Sequence, residues 1–408
     1  MQEKAYKIVL VSSGQPALNP RLVKEADALA DAGYEVTVIY AYWNAWGDEF
    51  TKQLLPTKKW KAICAGGHPV EAPATYALSR LVFKLARLIF AKSGMKTFHD
   101  LAIARCTPFL VREAKKHRAD LYIGHNLGAL PAVVKAAKKY YAKCGFDAED
   151  FHRQETTDDI TSINYRIVKS CEDHYFPKLD YISASSPEIS KAYKQLYPGK
   201  DFHTILNAFN LSAVKTHTTA ARKINLFWFS QTVGRDRGLE GVAAAIKTVP
   251  FEAFSLHILG YLHSSEDEFI KTLFAGVDVI FHEPMPPDEI ITFATGFDIG
   301  LATEQKTPLN RDICLTNKLF TYLSAGLAIV ATDTSAQSAF MAQYSHIGKL
   351  YSQQNAKQLA EILSDYRNRP EELIKAKAAA GMLSADNLNW QTESRGFLKL
   401  VAKTIAGN

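Results

Sequence analysis

Residues 316–333 read TNKLFTYLSAGLAIVATD, and the order of residue types in them sets the fold. A polar lead, Thr316 to Lys318, opens a helical stretch that Gly326 stops. The run AIVAT at 328–332 then has the apolar character of a strand buried on both faces of a parallel sheet. A helix that starts this way aims free N–H groups and a positive dipole end at its approach, a natural seat for a diphosphate, and Lys318 would add charge there. Pattern alone also suits an ordinary helix–strand unit.

Outward from this stretch the same alternation recurs. Residues 7–12 (KIVLVS) form a first strand, and after the loop SGQPALNP a helix over 21–32 carries Leu22, Ala26, Leu29 and Ala30 at helical spacing. Gly33 stops it before a strand at 34–41. Helices at 100–117 and 131–142, strands at 121–124 and 181–185, and a helix from Pro187 follow. A second series has strands at 226–230, 255–260, 277–281, 298–302 and 328–332, with helices from Leu239, Pro287 and Asn317.

Such alternation predicts an α/β chain of two doubly wound, Rossmann-like domains, with the active site in the cleft between them, outside the carboxyl ends of the strands. The boundary is expected near residues 206–215, in the polar, unpatterned stretch NAFNLSAVKTHTT. The division is then 1–208 and 209–386, with 387–408 as a terminal helix. The first turn lacks GxGxxG, which argues against NAD in the first domain. Asn19 caps the following helix and Pro20 takes its first position. Asn19 and Arg21 are expected to face the cleft, with plain capping as the alternative.

Composition narrows the class. The chain has 408 residues, 47% hydrophobic and 22% charged, an ordinary globular profile. No apolar run reaches the roughly 20 residues that span a bilayer. The five cysteines are scattered without a CxxC pair, so neither a zinc site nor a disulfide framework is expected. The lead MQEKAYKIVLVSS has no signal-peptide layout, which together with reduced thiols predicts a cytoplasmic protein.

Charge is uneven. Residues 51–140 hold 17 basic against 4 acidic side chains, a net +13. Within that block, residues 78–92 (LSRLVFKLARLIFAK) set Arg80, Lys84 and Arg87 on one helical stripe and leucines on another. This pattern fits peripheral contact with the inner, anionic face of a membrane, or else a core helix with a solvated basic side. No nucleic-acid module accompanies the basic block, so nucleic acid is not an expected partner.

The stretch 316–333 resembles the donor-binding segment of retaining family-4 glycosyltransferases of the GT-B fold, roughly NKLFEYLAAGLPVVAS. Three further segments resemble the same family in order: PALNPRLVKEADALADAGYEVTVI (16–39), ADLYIGHNLGALPAVVKAAKK (119–139) and GRDRGLEGVAAAI (234–246). The resemblance implies transfer of a sugar from a nucleotide-sugar donor, with retention of configuration, to a glycan or lipid-linked acceptor, as in cell-surface polysaccharide synthesis. It also implies two domains facing a central cleft, and a terminal helix, 387–405, crossing back to the first domain with Trp390 as its buried anchor.

By the same resemblance His125 aligns with the family's active-site histidine beside the donor sugar, and the leaving phosphate helps deprotonate the acceptor. Arg237, before Gly238, matches the lysine that pairs with the diphosphate, and arginine adds bidentate contacts. Thr232 stands where the family has another arginine, a role Arg235 would cover. Of the family's paired glutamates, the second position is Thr321 and the first falls near Ile313, beside Asp312; Glu304 is an upstream carboxylate able to reach back. Asn317 and Lys318 complete the donor side.

The cluster FDAEDFHRQE (146–155) offers Asp150 and His152 as acceptor-side groups. Strand periodicity argues against its side chains converging on a metal. No metal or cofactor is called for, because a helix dipole and basic groups can neutralise the diphosphate. Competing readings are a nucleotide-sugar epimerase on this fold and a non-catalytic binding or scaffold protein.

Overall fold

The computed structural model describes residues 5–210 and 223–407. The boundary stretch predicted at 206–215 therefore lies partly outside the described residues. The chain divides into two compact units, Met1–Ile205 with Ser394–Asn408, and Leu206–Glu393.

The first unit is built on seven parallel strands: β1 (Lys7–Ser12), β2 (Glu35–Ala41), β3 (Lys61–Ala65), β4 (Leu121–His125), β5 (Lys143–Ala148), β6 (Tyr181–Ala184) and β7 (Phe202–Thr204). They lie in the order β3-β2-β1-β4-β5-β6-β7. The second unit has β8 (Ile224–Val233), β9 (Phe254–Leu262), β10 (Val279–His282), β11 (Ile299–Ala302), β12 (Ala328–Thr332) and β13 (Gly348–Tyr351), ordered β10-β9-β8-β11-β12-β13. Both are doubly wound. In each, the chain starts in mid-sheet, walks to one edge and returns to build the other half, so the order reverses once, between β1 and β4 and between β8 and β11.

Alternation along the strands explains the two-sided burial. In the second unit Leu226, Trp228, Ile299, Leu301, Ala328 and Val330 enter one apolar core. Their neighbours Phe227, Ala302, Ile329 and Ala331 enter the other. A strand covered by helices on both faces has no use for polar residues at its centre, which is why these runs read as continuous apolar stretches. The helix Asn317–Ala325 closes at Gly326, whose φ of 67° lets Leu327 turn back and donate to Tyr322 O at 2.9 Å.

Four strands have no counterpart among the predicted ranges: β3, β5, β7 and β13. All but β5 are edge strands, and β7 has only three residues, too short for periodicity to register. The helix predicted over 100–117 is two helices, His99–Ile103 and Thr107–Ala114. Ala104 between them is extended at φ −152°, and a proline sits in the first turn of the second helix. The terminal helix runs Trp390–Ala406, with Trp390 buried at its start.

Phe227 is fully buried and stacks on Phe297 with centroids 4.6 Å apart. Phe227→Ala should destabilise the second unit by about 3–5 kcal/mol, read as a lower midpoint of its chemical unfolding.

Candidate functional site

Strand register assembles the first polar cluster. Ser12 of β1 pairs with His125 of β4, His125 with Asp147 of β5, and Asp147 with Ser183 of β6. Four polar residues thus form one row across the sheet, beside the point of order reversal. The helix Pro20–Asp31 lays Arg21 and Glu25, one turn apart, onto this row. Arg21 donates from Nε to Asp147 Oδ2 at 2.5 Å and from Nη2 to Oδ1 at 2.8 Å, while Nη1 reaches Ile205 O at 2.6 Å. Ser183 Oγ donates to Asp147 Oδ1 at 2.8 Å. This is the fork-on-carboxylate geometry that arginine alone provides.

His125 Nε2 lies 3.1 Å from Glu25 Oε2 and Nδ1 3.6 Å from Asp147 Oδ2. The two carboxylates thus face the two ring nitrogens. Burial disfavours the imidazolium, but the Glu25 and Asp147 charges outweigh it and raise the His125 pKa. Asp147 is pushed up by burial and held below the usual carboxylate range by Arg21, then His125. Arg21 and His125 thus face Asp147 and Glu25 in a closed space.

That arrangement corrects the placement of three predicted residues. His125 is 1% exposed with both ring nitrogens turned to carboxylates, so its ring has no face toward solvent. Arg21 is fully buried rather than cleft-facing. Asn19 does what its capping alternative states: its Oδ1 accepts from Leu22 N at 2.9 Å. The chain turns outward at Asn126, whose φ of 63° is unusual for a residue with a side chain. Ser12 Oγ donates to Asn126 Oδ1 at 3.1 Å and fixes that turn against the β1 loop.

Sequence reading missed Lys24, one residue before Glu25. Burial, aided by the Arg21 charge, lowers its pKa to about 7. Glu149 beside it is raised to about 7 by burial and by Asp150 and Asp147. A basic and an acidic group that both titrate near neutrality sit at the edge of the sealed network, where proton exchange is easiest.

Asp150 and His152 do come together, and Glu155 joins them, with one ligand atom from each within 4.8 Å of the others. The strand argument fails here because β5 ends at Ala148 and His152 opens a short 3-10 turn, His152–Gln154. His152 Nδ1 is 2.9 Å from Glu155 Oε2. Burial opposes the charged ring, but Glu155, Asp150 and Glu172 lift its pKa to about 9, so the imidazolium is itself the cation of the group. Arg153 secures the turn by donating to Glu172 Oε2 at 2.7 Å.

The second unit gathers its polar groups at the reversal between β8 and β11. After β8, the loop carries Arg237 and Gly238. Arg237 Nη2 donates to Thr232 Oγ1 at 3.0 Å, so the threonine that replaces the expected arginine holds the remaining one. Gly238 has φ 79°, and a Cβ there would lie 2.5 Å from Thr303 O. Thr303 Oγ1 donates to Arg237 O at 2.7 Å and accepts from Trp228 Nε1 at 2.9 Å. The arginine loop is thereby clamped to the end of β11.

Glu304 follows, half-buried beside Lys318. Lys318 Nζ is 2.8 Å from Glu304 Oε1, which also accepts from Thr316 Oγ1 at 3.0 Å. Burial pushes the Glu304 carboxyl up; Lys318, Thr316 and Arg311 more than offset this and keep it ionised. Because the Thr316 hydroxyl is spent on Glu304, no side chain caps the helix Asn317–Ala325, and its first turn holds no acidic residue. A helix start without a capping side chain is a seat for an anion. Asn317 at that end accepts from Asn207 Nδ2 at 3.0 Å.

Arg311 is a second residue that sequence reading missed. It donates from Nη1 to Asp236 O at 3.3 Å, joining the two loops. Two predicted donor residues fall elsewhere. Arg235 pairs with Glu266 at 3.1 Å and lies 4.1 Å over the Phe269 ring, on the side of the helix Ser264–Leu273. Thr321 is 2% exposed, in a helix turn wholly packed in the core.

Two doubly wound units of this topology define the GT-B fold, and solved structures of that fold superpose on the whole chain. A sucrose-phosphate synthase from Thermosynechococcus elongatus matches with a TM-score of 0.70 and 12% identity, over 99% of this chain and 100% of that one. Anabaena HepE in complex with UDP and glucose matches at 0.70 and 15%, over 98% and 100%. WaaG, a glycosyltransferase involved in lipopolysaccharide biosynthesis, matches at 0.64 and 12%, over 98% and 100%. No protein-family model and no curated protein matches the sequence.

Two outcomes follow from the buried charges. Asp147→Asn leaves the Arg21 guanidinium short of its counter-ion and should lower stability by about 3–5 kcal/mol, measured by urea unfolding. The raised pKa of His152 contributes stability that is complete below its ordinary value of 6.5 and lost as pH climbs through about 9. Thermal melts should fall across that window, and His152→Gln should flatten the fall.

Proposed function

We propose that the chain is a retaining, family-4-like glycosyltransferase that moves a sugar from a nucleotide-sugar donor to a glycan or lipid-linked acceptor, in cell-surface polysaccharide synthesis. One observation carries this reading: at the order reversal of the second sheet, the Arg237 loop is tied to Thr303 and to Arg311, and the next residue, Glu304, pairs with Lys318 at the uncapped start of the helix Asn317–Ala325. A diphosphate suits that place, because the N–H dipoles and guanidinium groups offer it charge and directed donors together. HepE crystallised with UDP and glucose, and WaaG's part in lipopolysaccharide biosynthesis, support the substrate class and the cellular role by likeness of fold.

On this reading catalysis is mainly stabilisation of the leaving nucleoside diphosphate, and no metal is required because the cationic groups take its place. Glu304 offers a fixed acceptor for sugar hydroxyls. His125 acts by positioning: its charge locks the end of β4, and so holds the strained Asn126 and the adjoining β1 loop at the acceptor side. A front-face substitution with retention needs no protein base, which fits a histidine sealed from solvent. The proposed setting is the cytoplasm, with the acceptor met at the inner face of a membrane. Among the described residues no helix is long and apolar enough to cross one.

A melting-temperature screen across UDP-, GDP-, ADP- and TDP-sugars should single out one nucleotide, and release of that nucleoside diphosphate should require acceptor, which excludes an epimerase. Arg237→Ala should reduce kcat/KM by about 100-fold or more with an unchanged melting temperature of the free protein. Full activity in that variant, or no stabilisation by any nucleotide-sugar, would refute the reading.

A further inference from the structure

The helix Pro73–Ser93 is the longest in the first unit, and its burial runs opposite to that of an ordinary amphipathic surface helix. Ser79, Ala86 and Phe90 are its buried positions. Leu78 is 55% exposed, Leu81 55%, Leu85 49%, Leu88 58% and Ile89 39%. At about 100° per residue the spacing 78, 81, 85, 88 is one continuous stripe, and Leu81 and Leu88 point directly away from the buried side. The helix therefore packs on the protein through a narrow face of Ser79, Ala86 and Phe90 and offers its leucines to solvent. Scattered exposed leucines need no explanation, but a contiguous stripe of five large aliphatic side chains on one helix does.

The charges around the stripe say what covers it. Arg80, Lys84 and Lys92 are exposed on the same helix, with Lys96 just beyond it. Arg87 is excluded from that group: it donates to Asn164 Oδ1 and, at 3.4 Å, to Ala102 O, and so ties the helix to its own unit. The region 51–140 has a net charge of +13. A second copy of the chain related by a two-fold axis would bring these cations face to face across the leucines, a repulsive arrangement. An anionic lipid surface meets both demands, since headgroups take the lysines and the acyl boundary takes the leucines.

We infer that this helix docks in the plane of an anionic bilayer, with Leu78, Leu81, Leu85 and Leu88 entering the acyl boundary and Arg80, Lys84 and Lys92 at the phosphates. The inference deepens the glycosyltransferase reading by naming the surface on which acceptor is met, yet it is tested apart from that reading.

The test is cosedimentation of the full chain with phosphatidylglycerol/phosphatidylcholine vesicles, with phosphatidylcholine alone as the contrast. Binding should require the anionic lipid and weaken with salt. Lys84→Glu should lower the partition coefficient about fivefold or more. Leu85→Gln with Leu88→Gln should lower it at least about tenfold while salt dependence persists. Both variants should keep the wild-type melting temperature, because the changed side chains lie outside the core. They should also keep its shift with nucleotide-sugar, so loss of docking cannot be confused with loss of the donor site. No binding to anionic vesicles, or binding indifferent to the leucines, overturns the proposal. So does concentration-dependent dimerisation that the leucine variants abolish, which would make a second copy the occupant.

Discussion

A parallel sheet that starts in its middle must reverse its strand order once, and the two crossover helices on either side of that reversal depart in opposite directions. No helix covers the strand ends there. In this chain the gap falls between β1 and β4 in one unit and between β8 and β11 in the other. Two of the polar clusters lie beside that gap. In the first unit strand ends and one helix supply the residues, and in the second the loops after β8 and β11 supply most of them.

The two gaps are furnished differently. In the first unit, charges are sealed: Arg21 and His125 against Asp147 and Glu25, all four side chains at most 1% exposed. Such a group contributes little net stability over an apolar core of equal volume, since burial of ions offsets their attraction. What it supplies is position, because a bidentate fork on Asp147 fixes a helix to a strand with little rotational freedom. In the second unit the groups stand nearer the surface, clamped through Thr303 and Thr232, and a helix end is left without a cap.

Much of this was legible in the residues. Apolar runs, glycine stops and helical spacing located the elements around both reversals, and Gly238, Lys318 and Glu304 lie at the ends of those elements in the second unit. The orientation of His125 was not legible. A strand-end histidine points into a cleft or into the sheet according to its partners, and those partners, Glu25 and Asp147, come from a helix and a strand far apart in sequence. Arg311 and Lys24 were missed for a similar reason: each is an ordinary surface cation by pattern, and only tertiary neighbours give it a place. The convergence of Asp150, His152 and Glu155 depends on a 3-10 turn, which has no periodic signature.

Lys318 in its resting state already has a counter-ion. Its pairing with Glu304 means that a bare inorganic anion would gain the lysine only by taking it from a half-buried carboxylate. A molecule that brings hydroxyl groups along with its phosphates lets Glu304 exchange one partner for another and leaves nothing unsatisfied. On the proposed reading the pair would act as a chemical AND gate, favouring a ligand that is anionic at one end and hydroxylated at the other.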